Sequence, residues 1–545
     1  MASSAGSGSP GSALPGSALP PDAGVVFPAE EGGSRSTSAT GRAVLADAVR
    51  GVAPALADEV LATGNWRSGY LRPFREMTRL ALVRPGAAAA ISAAGLASVH
   101  ERFRFRRRGE DLPLSAVREL AESAAVSSRV SSAGSSSGAS SGASSGPLRT
   151  VTITGTRPPG PDVLSVPYRG GRLVADDLDA QLDLWLDAGT AEPSFAAAVR
   201  AVMAHPAWLD LRDLTVVVLG AGAQMGPLVS LLNWGAHVVA VDLPSRPRGP
   251  QVWTRLIETA RASSGRLSVP VAVPLPAGAS DEQVADAAGV DLVADTPEVL
   301  AWLAGVEGPF TLGNYVYADG AAHVRAAVAV DAVTSALLAA RDDVSLAFLA
   351  TPTDAFAVPT EVVADSRRRY EERTVRRRLA RLGSAGRLFR PNYPAEALTE
   401  GGSALGAVND SLVPQQGPNY ALAKRVQRWR ALDARAAGRV VSLNVAPPTR
   451  TRSVLRNRVL AAAYAGAHRF GVEVFDPSTS NTLMAALLVH DLRHEGAAAR
   501  PGTALSHPLE LFWQGANHGG LWRNPFEPRS VLGLAVALGM LQRGA

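Results

Sequence analysis

The chain contains no cysteine. That absence excludes a disulfide framework, thiolate metal sites and cysteine nucleophiles, and it fits a reducing compartment. Lysine is nearly absent too: of the 54 basic residues only Lys424 is lysine, and the other 53 are arginine. Coding bias accounts for the arginine excess in a chain rich in Ala, Gly and Pro. It does not account for where the one lysine stands. Net charge is +5, small for 545 residues, so neither a general nucleic-acid coat nor a nucleic-acid partner is expected, local basic runs aside. No apolar run reaches about 18 residues, so no membrane span is expected. The N-terminus lacks a basic stretch leading into an apolar one, as a secretory signal would have; its first arginine is Arg35. A cytoplasmic location follows as the expectation.

What is present suffices for a large core, with 46% hydrophobic residues. Residues 1–40 are low complexity and are expected to form a disordered tail. Residues 41–126 show helical spacing of apolar residues and make a mainly helical region. Within it Phe103 and Phe105 alternate with arginines, as on a strand with one apolar face. A Ser/Gly linker spans 127–148. From 149 to 545 apolar runs alternate with helical stretches. The runs are VTIT (151–154), TVVVLG (215–220), HVVAVDL (237–243), DLVAD (291–295), FTLGNY (310–315), SLAFLAT (345–351) and RVVSLNVA (439–446). Continuous rather than alternating apolar runs imply strands covered on both faces. The expected fold is α/β, a doubly wound parallel sheet of Rossmann type. A basic insertion near 360–410 and a C-terminal substrate or lid region near 470–545 are expected additions.

The run ending at Leu219 enters Gly220-Ala-Gly222-Ala-Gln224-Met225-Gly226, and the next run ends at Asp242. Each glycine has a distinct use. Gly220 permits the tight turn, Gly222 admits a pyrophosphate close to backbone, and Gly226 allows the helix to pack on the strand. A helix start would add unpaired N–H groups and positive dipole. Gln224 and Met225 complete the candidate cofactor loop. An acid ending the second strand can hold ribose hydroxyls, so Asp242 favours NAD over NADP, although Arg246 and Arg248 could grip a 2′-phosphate. The similar segment at 153–160 carries two prolines and is discounted.

Lys424 follows Tyr420 by four residues on an evident helix, so the two share a face. A nearby ammonium favours phenolate and lowers a phenol's pKa, which suits Tyr420 to acid/base work. Glycine turn and Tyr-x-x-x-Lys together resemble the short-chain dehydrogenase/reductase superfamily over roughly 210–470. The resemblance implies that Asp295 lies near adenine and that Asn314 supports a proton relay. It implies that Thr351 or Thr353 replaces the catalytic serine hydroxyl, and that Pro447, Thr449 and Thr451 border the cofactor. The chain departs from the family in its glycine pattern and lacks a serine about 13 residues before Tyr420; Ser403 and Ser411 are imperfect substitutes.

Other features are weighed more lightly. The arginine run from Arg367 to Arg381 reads first as a solvated basic face, then as a site for an anionic partner such as a carrier domain, coenzyme A or acidic lipid. His490 and His494 have helical ligand spacing but no third ligand, so no metal is expected. The C-terminal aromatics, Trp513 and Trp522 among them, could cover an apolar substrate or pack onto the core. The expected function is NAD(P)-dependent oxidoreduction of a ketone, aldehyde or alcohol on a bulky hydrophobic substrate, carried free or on a carrier or coenzyme A. A homo-oligomer is compatible with this. The alternatives are a redox-neutral epimerase or dehydratase that retains NAD, and a non-catalytic dinucleotide-binding regulator.

Overall fold

The valine-rich runs become the parallel part of one mixed sheet. The computed structural model describes residues 23–131, 147–158, 163–245, 249, 251–394 and 406–543. The expected tail up to residue 22, most of the Ser/Gly stretch, Ser403, Arg246 and Arg248 lie outside the described residues. The strands are β1 (Gly24–Val26), β2 (Arg104–Arg107), β3 (Glu110–Pro113), β4 (Arg149–Thr154), β5 (Ser165–Tyr168), β6 (Gly171–Val174), β7 (Thr215–Leu219), β8 (His237–Val241), β9 (Arg266–Val271), β10 (Phe310–Asn314), β11 (Val344–Ala350), β12 (Ala355–Val358), β13 (Ala407–Asp410) and β14 (Val441–Val445).

Seven strands join in the order β14-β11-β10-β7-β8-β9-β4. All pair in parallel except β4, which lies antiparallel on β9 at the edge. Successive side chains leave a strand on opposite faces. Val217 and Leu219 of β7 therefore enter one core, and Val216 and Val218 enter another. Helices cover both faces. Those at 296–304, 321–340 and 418–436 share the first core, and those at 193–204, 251–261 and 477–493 share the second. The chain is thus α/β, with a mostly parallel sheet flanked by helices and compatible with a Rossmann-like fold.

The third parallel strand is β9, not residues 291–295. Pro270 disguises β9 in the sequence, since proline cannot donate to a ladder. The structure accommodates it opposite Thr150 of β4, beyond the 266–268 stretch that pairs with β8. Residues 291–295 turn instead, because Asp291 Oδ1 accepts from the backbone of Val293 and Ala294 at 2.9 and 3.1 Å.

Part of the expected tail is ordered. Strand β1 pairs with β2, and β2 with β3. Arg325 holds the Val25 carbonyl at 2.6 Å, and the Val25 amide donates to Val293 O at 3.0 Å. The first helix, Thr37–Arg50, is capped by the Ser36 hydroxyl. Phe103 and Phe105 are buried, as their alternation implies. The N-terminal helices share a core with the sheet. Gly95 lies against the Trp429 ring, whose atoms would be 2.6 Å from a Cβ there. Arg107 pairs with Glu298 at 2.6 Å. The helix Ala116–Ser131 absorbs the start of the Ser-rich stretch.

Among the described residues one helix, Ala321–Ala340, is long and apolar enough to cross a membrane. It lies mostly inside the molecule, packed on the 296–304 and 418–436 helices. The basic insertion is bracketed by β12 and β13, which pair antiparallel, and contains helices Thr360–Glu371 and Val375–Gly383.

Candidate functional site

Counted in sequence, the parallel strands run 6-5-4-1-2-3 across the sheet, so the order reverses between β7 and β10. Ligands of open α/β sheets bind outside the carboxyl ends of strands at such a reversal. The glycine loop leaves β7 there. Gly220 has φ +82°, and a Cβ on it would meet Tyr315 O and the Val316 backbone at 3.0 Å. Gly220→Ala is expected to destabilise by about 1–3 kcal/mol, read by chemical denaturation.

The loop is closed on itself. The amides of Gly220 and Ala221 donate to Val241 O at 2.8 and 3.0 Å, and those of Ala223 and Gly226 donate within the turn. Asp242, at the end of β8, accepts from the Gly222 amide at 2.6 Å and from Leu243 at 2.7 Å. The following helix is shorter than the sequence implies: it begins at Leu228 and has 6 residues. Gln224 ties the loop to the segment after β14. Its carboxamide oxygen accepts from Arg452 N at 2.7 Å, and its carbonyl accepts from Asn481 at 3.3 Å. Met225 packs on the core beneath.

Tyr420 and Lys424 sit on the helix Pro418–Ala436, between β11 and β14 in sequence. From 421 to 432 every residue is buried except Lys424, which is half-buried. Its ammonium donates to Leu349 O and to Gln427 Oε1, both at 3.2 Å. Burial pushes its pKa down to about 8, with Asp354 opposing. The Tyr420 hydroxyl pairs with Thr351, which in turn contacts the Thr353 hydroxyl at 2.9 Å. Gln416 anchors Thr353 Oγ1 at 2.8 Å. Burial pushes the Tyr420 phenol above its ordinary value; the Thr351 hydroxyl opposes this, and Tyr317, Tyr464 and Asp354 add to it. The lowered phenol pKa expected from Lys424 is therefore not what the structure gives, because desolvation outweighs the Thr351 hydrogen bond.

Two further side chains belong to this cluster and were missed in the sequence. The His323 ring lies 5.3 Å from Tyr420 and 5.3 Å from Tyr317. His323 is 1% exposed, and no hydrogen bond of normal geometry reaches its ring nitrogens. Burial and the Lys424 ammonium push its pKa down to about 3, so the imidazole is neutral. Tyr317 donates to Asp319 at 2.9 Å and contacts Ser453. The Asn314 carboxamide, buried at the end of β10, accepts from Val316 N at 3.3 Å and shapes the turn leading to both.

The other expected site residues are placed as follows. Asp295 accepts from Asp291 N, and its charged neighbours are Glu298, Asp291 and Arg107; burial and the two acids push its pKa up to about 7. Thr449 is buried, donating to Pro447 O at 2.8 Å and contacting Ser480 at 2.7 Å. Ser411 is buried on Asn409. Thr451 contacts Ser453 at 2.9 Å, next to Tyr317. The C-terminal aromatics fill core rather than cover a cleft. Trp522 packs on Phe356, and His518 bonds Glu192 at 2.8 Å. The His490 and His494 rings stack 4.9 Å apart, and no group of metal ligands occurs among the described residues.

No protein-family model matches the chain, and no curated protein is similar to it in sequence.

Proposed function

We propose that the chain is an NAD(P)-dependent oxidoreductase of the short-chain dehydrogenase/reductase type, built on a doubly wound Rossmann sheet. The observation that carries this reading is the placement of Lys424. It is the one half-buried position on an otherwise buried helix stretch, one turn from Tyr420, whose hydroxyl meets Thr351 beyond the end of β11. Asn314 and the glycine loop stand at the carboxyl ends of β10 and β7, which flank the reversal, and Thr351, which Tyr420 meets, follows the neighbouring β11.

A dinucleotide would bind here once the internally paired glycine loop opens. Gly220, Gly222 and Gly226 would underlie its pyrophosphate, and Asp242 would exchange its bond to Gly222 for ribose hydroxyls, which favours NAD. When bound, the dinucleotide would supply the hydride chemistry. Tyr420 gives its proton to the carbonyl oxygen in reduction and removes it in oxidation. Thr351 orients that oxygen, and Thr353 holds Thr351. The Lys424 ammonium stabilises the phenolate left behind. The neutral His323 beside them adds no competing cation. Leu455 and Val459, both exposed, lie close in sequence to Ser453 and suit a bulky hydrophobic substrate.

The test follows reduced-nicotinamide absorbance over a panel of carbonyl compounds and alcohols. Turnover of at least one, lost in Tyr420→Phe, supports the reading; isomer exchange with no net absorbance change replaces it by the redox-neutral alternative. Cofactor binding with no turnover on any member of the panel would select the non-catalytic regulatory alternative.

The Lys424 pKa gives a pH prediction of opposite sign for rate and stability. The rate should fall as the ammonium is lost above about 8. Between that value and the ordinary 10.5 the folded chain has released a proton that the unfolded chain keeps. This group's share of stability therefore rises with pH across that window. The pH profiles of kcat/KM and of Tm check both, and Lys424→Met should remove both dependences.

A further inference from the structure

The helix Val375–Gly383 is docked the wrong way round for a soluble surface. Val375, Leu379 and Leu382 follow the i, i+4, i+7 spacing of one face, and they are 68%, 62% and 75% exposed. The opposite face meets the protein. Ala380 packs on the cluster formed by Phe389, Phe470 and Phe526. Arg377 lies over the Phe526 ring and donates to Arg469 O at 3.2 Å. Arg381 reaches Gly386 O and Phe389 O. Among the described residues this helix buries none of its own.

Arg376 and Arg378 are exposed on either side of the aliphatic stripe. Arg378 leans on Glu371 O at 2.7 Å. Glu371 and Glu372 are the only acids between 367 and 390, against ten arginines. We propose that this helix docks the chain on an anionic lipid surface. The three aliphatic side chains would enter the acyl boundary, and the arginines would stay at the level of the headgroup phosphates, as long basic side chains do. The stripe is a convex ridge on a single nine-residue helix. A specific protein interface needs a larger and complementary patch, whereas a bilayer needs only depth and charge. The proposal does not rest on the oxidoreductase reading.

Flotation of the full chain with phosphatidylcholine vesicles, with and without phosphatidylglycerol, tests it. The expected result is binding to the phosphatidylglycerol vesicles that weakens as salt rises. Arg376→Gln and Arg378→Gln should each weaken it by roughly fivefold, the value of one basic residue near an anionic surface. Leu379→Ser with Leu382→Ser should abolish it while Tm stays unchanged, since neither side chain is buried. No flotation on anionic vesicles would overturn the proposal. So would flotation unchanged in the double serine variant, or binding only to an acidic carrier protein.

Discussion

Tyr420→Phe should lower kcat by about 10²–10⁴-fold, the usual contribution of a positioned acid/base group. The ring contacts with His323 and Tyr317 need no hydroxyl, so the variant should fold normally. Lys424→Arg separates charge from shape. Arginine keeps the cation but cannot replace the compact ammonium that meets Leu349 O and Gln427. It should therefore also lose most activity. Lys424→Met should lose activity and gain thermal stability, because removing a desolvated cation relieves its burial. Steady-state rates with parallel melting curves check all three. A Tyr420→Phe enzyme that turns over at the wild-type rate excludes the proposed chemistry.

The second large effect is on stability. Asp354 is 2% exposed and pairs with Arg425 at 2.8 Å and Arg428 at 3.1 Å, both buried. One carboxylate thus serves two buried guanidiniums. Arg428 gains further support from the Phe356 and Phe512 rings, 4.2 and 4.6 Å away. The Nε atoms of both arginines have no hydrogen-bond partner, and beyond Asp354 Arg428 donates to Ala355 O at 2.9 Å and Arg425 reaches Thr78 Oγ1 at 3.5 Å. Asp354→Asn should cost about 3–5 kcal/mol, as when one partner of a buried pair is removed. Urea unfolding followed by circular dichroism gives the number. Activity should fall as well, because Asp354 fixes the 418–436 helix against the strand end that carries Thr351 and Thr353.

Much of the architecture was legible because local pattern and tertiary role agree. The continuous valine runs of β7 and β8 are read directly as strands buried on both faces, and the two cores that receive alternate side chains explain why. Tyr420 and Lys424 were legible because helical spacing alone puts them on one face. Strand β9 was not, since Pro270 breaks the pattern and only the antiparallel partner β4 makes room for it. Asp295 was misplaced because an Asp-directed turn inside an apolar run is indistinguishable in sequence from a short strand. His323 and Tyr317 left no signal. His323 opens an apolar helix and reads as core, and its proximity to Tyr420 arises from packing between elements about a hundred residues apart. The sign of the Tyr420 shift depends on burial, which spacing does not reveal. The β1 strand was hidden by the low-complexity sequence around it; the guanidinium that secures it, Arg325, lies 300 residues away.

The most direct measurement is equilibrium binding of NADH and NADPH to the full chain, followed by nicotinamide fluorescence. Saturable binding with NADH the tighter is the expected result, and Asp242→Ala should narrow the difference between the two. Failure of both cofactors to bind would contradict the assignment of the glycine loop and the chemistry built on it.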